Sequence, residues 1–483
     1  MNVMTLASGA ELGAHPAMAL ILGGIVAAFL RGRAASLCLV IAPVLGLWYV
    51  WTLDVGSSSS IVLFGQEIHS VFVDRQAKLF GYLFHLAALI AGIYSFHLRD
   101  PWQVSMGLLY AATAVGVAFA GDMLSLFLWW EGLAVTSVFQ IWCRRTERSE
   151  QAGFRYLFFH ISSGLLLLAG ILFRYHEEGD SALSLDSLTD ALESGDVGAL
   201  LILIAIGIKA AFPGLHVWLT DGYAEATPTG PVFLCAFTTK CAVCMLARLF
   251  PGADVLLLVG GLMAFFPIFY AVIENDLRRV LCYSKINQIG FMVVGVGIGT
   301  ELAIDGAVAH AFTHVIYKGL LFMSMGAVLF RTGEIRGSEL GGLYKSMPWT
   351  TGFCIIGAAS ISAFPLFSGF VSKSLIMVEA AREGHLNFIP GKYQEVPDGP
   401  SRYEEGLRAA KDRCATRLQS RWRGEIARRR VKRIRSDQKD TRMQKAAVTL
   451  AGAIKPATDA VSEKIMDAKD KAKSVVEEKA TEI

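Results

Sequence analysis

Apolar residues in this chain come in long runs separated by short polar stretches. Twelve runs approach the roughly 20 residues that a helix needs to cross a bilayer. They lie near residues 17–30, 34–53, 77–97, 103–120, 122–143, 155–174, 199–220, 229–250, 254–274, 280–299, 303–330 and 350–379. Backbone groups in hydrocarbon must pair within their own segment, so the runs are predicted as helices. The pattern therefore predicts an all-α, polytopic membrane protein of about 12 transmembrane helices. After Ile389 the long runs stop, and Lys, Arg, Glu and Ala dominate.

Two runs are interrupted. Lys209-Ala-Ala-Phe-Pro213-Gly214 breaks the seventh, and Phe364-Pro365-Leu-Phe-Ser-Gly369 breaks the twelfth. Proline removes a backbone donor and glycine loosens the turn. Broken helices at matched places in two halves point to a transport site, whereas a lone break is more often a packing kink. Met1–His15 lacks the basic stretch and the small-residue cleavage site of a secretory leader, so the first run is expected to act as the insertion signal.

Charge sharpens the picture. The formal net charge of +3 averages two unlike regions and describes neither. Among the connections, one alternate set holds Arg31, Arg33, Arg99, Arg144, Arg145, Arg148, Arg155, Arg278, Arg279, Arg331, Arg336 and Lys345. The other set is poorer in basic residues and includes the acidic stretch His176–Asp196. This bias places the first set on the cytoplasmic, matrix or stromal side, and both the N-terminus and the tail opposite it. The 8 cysteines fall mostly inside apolar runs, and the Cys241/Cys244 pair reads as small buried hydrophobes rather than a metal or redox site.

The candidate chemistry lies in ionisable residues at membrane depth: Glu131, Lys209, Lys240, His310, His314, Lys318 and Lys373. Each costs about 2.5–3.5 kcal/mol on insertion scales, so each needs a partner or water. Glu131 and Lys209 are both mid-span, and the carboxylate is the natural neighbour of the amine; a structural ion pair is the plainer alternative. Lys240 has nothing in its own helix to neutralise it. It is read as a proton acceptor, against the alternative of a lysine held by carbonyls of a neighbouring helix. His310, His314 and Lys318 are spaced four apart and share one helical stripe, on which imidazoles can pass a proton near neutral pH. His85 and His160 read as satisfied core histidines. No carboxylate or cysteine joins the histidine stripe, so no metal site is expected. Phosphate loops, nucleophile triads and nucleotide fingerprints are absent, so no cofactor, no nucleic acid and no enzymatic centre are expected.

Four segments resemble one family. They are Lys209-Ala-Ala-Phe-Pro-Gly-Leu-His-Val-Trp-Leu219 with Ala224-Glu-Ala-Thr-Pro-Thr229 and Lys240, Asp276–Gly290, His310–Phe322, and Phe364-Pro-Leu-Phe-Ser-Gly-Phe-Val-Ser-Lys373. Together they are similar to the antiporter-like membrane proteins: the A and D subunits of the Mrp sodium/proton antiporter and the proton-pumping membrane subunits of complex I. The Mrp D branch looks closest. The resemblance covers about residues 103–380. It implies two inverted five-helix repeats starting near residues 103 and 254, the second incomplete because the family continues for two further helices. It also implies that Glu131, Lys209, Lys240, His310, His314 and Lys373 carry the proton path. Two residues depart from the pattern: Thr220 stands where the family usually has proline, and Lys285 where it usually has a small hydroxyl residue.

The domains expected are residues 1–102 (three N-terminal helices), 103–380 (the proton-translocating core), 381–400 (a linker) and 401–483 (a basic helical tail). Leu418-Gln419-Ser-Arg-Trp422-Arg423-Gly424-Glu-Ile-Ala-Arg428-Arg-Arg-Val431 is read as resembling an IQ motif. Its apolar stripe amid positive charge suits a calmodulin-type partner or, equally, an anionic lipid surface. The expected function is that of a multi-pass, proton-translocating subunit of a cation/proton antiporter, in a bacterial inner membrane or an organelle membrane. Its expected partners are the bilayer, sibling subunits, and protons with Na+ or K+. The alternatives are a complex I-like pumping subunit and a non-transporting anchor that presents the tail.

Overall fold

The computed structural model describes residues 14–63 and 66–384, and the tail residues Leu418, Gln419, Trp422, Arg423, Gly424, Arg428 and Val431 lie outside them. The N-terminal helices are α1 (Met18–Phe29), α2 (Arg33–Thr52) and α3 (Arg75–Tyr94). The helices α4 (Pro101–Phe119), α5 (Met123–Trp142) and α6 (Glu147–Glu178) follow. A short α7 (Thr189–Glu193) leads to the split pair α8 (Val197–Ala210) and α9 (Val217–Glu225), and then to α10 (Gly230–Ala236) and α11 (Thr238–Leu249). The remainder is α12 (Asp254–Ile273), α13 (Leu277–Ile298), α14 (Glu301–Thr332), a short α15 (Leu343–Ser346), α16 (Pro348–Ile361) and α17 (Ser368–Arg382). Nine helical segments among the described residues are long and apolar enough to cross a membrane; α1, α8 and α16 are shorter apolar helices.

Helix ends follow local chemistry. Asp74, Asp100, Asp122, Thr146, Asp196, Asp276 and Thr300 each accept backbone N–H bonds at the start of a helix, satisfying donors that the first turn leaves free. Small residues set the closest helix approaches: a Cβ on Gly260 would meet the Val294 backbone at 2.7 Å, and one on Gly290 the Ala264 backbone at 2.5 Å.

Three features depart from the sequence reading. First, an antiparallel hairpin, β1 (Ser58–Leu63) and β2 (Gln66–Phe72), fills the connection between α2 and α3. A register shift at Ser59/Ser60 breaks its alternation of apolar and polar residues, which hides the strands in the sequence. Second, the eighth span is divided: Phe237, at φ −103° and ψ −73°, separates α10 from α11. Third, Arg278 is no loop charge. It is buried, and its guanidinium donates to the carbonyls of Ala226 (2.9 Å) and Thr227 (3.1 Å).

Candidate functional site

The seventh span ends α8 at Ala210. Ala211 takes a left-handed conformation at φ +64°, the Phe212 N–H reaches back to the Gly207 carbonyl at 2.9 Å, and the Ala211 N–H to that of Ile208 at 3.1 Å. This is a Schellman-type helix end. Pro213 and Gly214 (φ +82°) lie in the gap before α9. Lys209 therefore sits in the last turn of α8, where the helix dipole favours a cation. The twelfth span repeats this geometry. Ala363 (φ +55°) follows α16, Phe364 N–H bonds Ala359 O at 3.1 Å, Ala363 N–H bonds Ser360 O at 3.3 Å, and Leu366 (φ +78°) stands where the first break has Gly214. Gly369 is not part of this interruption. It lies in the first turn of α17, where a Cβ would run into the Ser360 carbonyl.

The wholly buried Lys209 side chain turns to the carbonyl of Trp130 and lies 4.3 Å over the Trp130 ring. Glu131, next along α5, feels the lysine's charge without a direct ion pair. It is half-buried and packs against α6 at Gly164, where a Cβ would coincide with the carboxylate. Glu131 Oε1 has no hydrogen-bond partner.

His160 on α6 departs from its reading as a satisfied core residue. It stacks 4.1 Å from Tyr156 and packs edge-on to Trp218 at 4.5 Å, yet both ring nitrogens are buried without a partner. It also lies within electrostatic reach of Lys209. Aromatic packing thus holds a titratable ring beside the first lysine.

Farther in, Lys240 on α11 is wholly buried, and its nearest acceptor is Thr239 Oγ1 at 3.5 Å. It lies in the field of Lys318 on α14 and of Lys285 on α13. Lys285 donates to Tyr223 Oη (3.0 Å) and to Leu234 O (3.3 Å). In the sequence it stands out only as a departure from a pattern. The signal that could have found it is the one that marks the others: a lone charge within an apolar run.

On α14, His310, His314 and Lys318 are all wholly buried. The two imidazoles lie 6.1 Å apart, and His310 Nδ1 is 2.8 Å from Ser372 Oγ on α17. Neither His314 nitrogen nor Lys318 Nζ has a hydrogen-bond partner. One residue beyond Ser372, the half-buried Lys373 donates to Ile361 O at 2.8 Å, the last carbonyl of α16, and lies 5.1 Å from the Phe291 ring. Glu131 on α5 and Lys373 on α17 are half-buried, whereas Lys209, Lys240, Lys285, His310, His314 and Lys318 are enclosed.

Residues 120–390 match the NADH:quinone oxidoreductase/Mrp antiporter transmembrane family. The chain belongs to that family. It is 30% identical over 288 residues to the D subunit of the Na(+)/H(+) antiporter of Alkalihalophilus pseudofirmus, covering 56% of this chain and 58% of the relative. It is 30% identical over 328 residues to the N subunit of NADH-quinone oxidoreductase of Desulforudis audaxviator, covering 63% of this chain and 65% of the relative. The chain thus spans about three fifths of these curated relatives. Among solved structures, the Mrp complex from Dietzia sp. aligns with a TM-score of 0.68 at 26% identity, over 76% of this chain and 42% of that chain. Respiratory complex I from Thermus thermophilus shares the fold, with a TM-score of 0.65 at 22% identity over 76% of this chain and 83% of that chain. This member of the antiporter-like family is a multi-pass integral membrane protein. A second, short match places an IQ calmodulin-binding motif at residues 412–432.

Proposed function

We propose that this chain is a proton-translocating subunit of a multi-subunit cation/proton antiporter of the Mrp kind. The observation that carries the reading is the enclosed series of amines and imidazoles, Lys209, Lys240, His310, His314 and Lys318, with Glu131 and Lys373 at its two ends. So many titratable groups are tolerated at membrane depth where they share protons and water. In this reading a proton enters near Glu131 and Lys209, passes through Lys240 and the α14 histidines, and leaves by Lys373. A proton crossing a potential of about 100 mV releases about 2.3 kcal/mol, enough to move a lysine between its two protonation states. Na+ or K+ would be exchanged elsewhere in the assembly. The chain does no bond chemistry of its own. The working division is residues 1–102 as flanking helices, 103–380 as the translocating core, 381–400 as a linker and 401–483 as a tail.

The test is proton-driven cation flux in vesicles that contain the assembled complex. Lys240→Ala is expected to lower flux at least tenfold while the complex stays assembled. Wild-type flux in that variant would overturn the assignment.

Two other readings have their own support. The likeness to the N subunit of NADH-quinone oxidoreductase favours a complex I-like pumping role, in which case flux would follow electron transfer in sibling subunits rather than a cation gradient. The IQ match favours a membrane anchor that presents a calmodulin-binding tail. Calcium-dependent capture of calmodulin that is lost in Trp422→Ala and kept in Lys240→Ala would favour the anchor.

A further inference from the structure

Three wholly buried lysines from three helices lie within electrostatic reach of one another: Lys240 on α11, Lys285 on α13 and Lys318 on α14. The titratable groups facing them among the described residues are Tyr223, Cys235, Cys282, His310, His314 and Lys373, with no carboxylate. Three ammonium ions cannot share such a space, because like charges repel and none is neutralised.

The hydrogen bonds distinguish the three amines. An ammonium needs acceptors, and Lys285 has two, Tyr223 Oη and Leu234 O, with the Tyr223 ring face 4.4 Å away. Lys240 has one long contact, and Lys318 has none, with its nearest ring 6.0 Å away. The acceptors of Lys285 come from the divided eighth span. In an unbroken helix Leu234 O would receive the N–H of Thr238. The break at Phe237 turns that N–H to Tyr110 Oη at 3.1 Å, and the freed Leu234 carbonyl accepts from both Tyr223 Oη (2.5 Å) and Lys285.

We infer that Lys285 carries the resident positive charge of this cluster, and that as a positioning residue it keeps the neighbouring Lys240 amine free to receive the travelling proton. The inference deepens the proton-path reading and rests on it. A proton that reaches Lys240 meets the fixed charge on Lys285 and is passed on toward Lys318 and His314; only the proton moves, and Lys285 keeps its own.

The protonation states are read directly on purified protein labelled with 15N-lysine at pH about 7. Lys285→Met is expected to remove an ammonium resonance and Lys240→Met a neutral amine resonance. The reverse pattern would overturn the inference, whatever the flux. The second measurement is the pH profile of flux by the assembled complex. Lys285→Met removes a like charge beside Lys240, so Lys240 holds its proton to higher pH and the profile moves up by about one unit. Lys285→Arg keeps the charge and is expected to keep the wild-type profile. Tyr223→Phe removes one acceptor, is expected to move the profile less in the same direction, and carries the test if Lys285→Met fails to assemble. An unshifted profile in both Lys285→Met and Tyr223→Phe would reduce Lys285 to a structural residue. Loss of flux in Lys240→Ala alongside that result would leave the proton path standing, whereas full flux in Lys240→Ala would remove the path itself.

Discussion

The two helix breaks share a tetrapeptide pattern and a backbone, and they differ in nearly everything around them. Ala211-Phe212-Pro213-Gly214 and Ala363-Phe364-Pro365-Leu366 end their helices with the same left-handed alanine and the same reach-back hydrogen bonds. Yet Phe212 is 8% exposed and Ala211 fully enclosed, whereas Phe364 is 59% and Leu366 99% exposed. The comparison separates two causes. Local residues set the shape of a break, and the neighbours packed over it decide whether it is sealed. At the first break Trp218 donates to the Ile208 carbonyl and packs against His160 of α6. The second lies on a face of α16 and α17 that also exposes Trp349, Ile355 and Val371, as befits a surface that meets lipid or a sibling subunit.

The difference can be probed by stability in detergent. The largest effect is expected from the paired phenylalanines: Phe212→Ala should cost about 3–5 kcal/mol, and Phe364→Ala no more than about 0.5 kcal/mol. Thermal unfolding of the two variants checks this, and equal losses would mean that the second break is sealed in the purified protein too. Next is Trp218→Phe. Its indole donates to Ile208 O at 2.9 Å, and losing a buried partner should cost about 1–3 kcal/mol by the same measurement. The corresponding residue after the second break is Phe370, which has no such donor. A smaller effect of opposite sign is expected from Leu366→Gly, which relieves a left-handed backbone and should stabilise by about 1 kcal/mol; Gly214→Leu should do the reverse. The smallest effect is in the loop after α14. There the backbone N–H groups of Arg336 and Ile335 hold the exposed Glu334 carboxyl below its usual range. A carboxyl depressed in the folded state contributes above its unfolded pKa, and that contribution fades as pH falls through the folded value. Amide protection around residues 334–338, corrected for the intrinsic exchange rate, should therefore fall on acidification, and Glu334→Gln should abolish the change.

Much of this is legible in the chain. Length and apolarity mark the membrane helices, and proline with nearby lysine marks both broken spans, because spanning length and helix termination are local properties. The division at Phe237 is not legible. No proline or glycine announces it, and what holds it open is the Tyr110 hydroxyl from α4, a tertiary partner. The mid-span charges are visible, but their partners are not. By sequence Glu131 is the natural counter-ion of Lys209, whereas the amine turns to a carbonyl. The carbonyl-held environment that is the alternative for Lys240 belongs to Lys285 instead. His160 has the look of an ordinary core histidine because sequence cannot show that its neighbours are rings rather than acceptors.

The hairpin bears on how the carboxylate end of the series moves. The His69 N–H donates to Asp122 Oδ2 at 2.6 Å, and the Gly121 N–H donates to His69 O at 3.1 Å. Asp122 is also the cap that starts α5, and Glu131 lies about two and a half turns along the same helix. The strand therefore bolts down the corner from which α5 starts, like a bracket on a rail. With that end fixed, α5 cannot slide without tearing the bracket loose, and the reach of Glu131 is left to its own side-chain torsions.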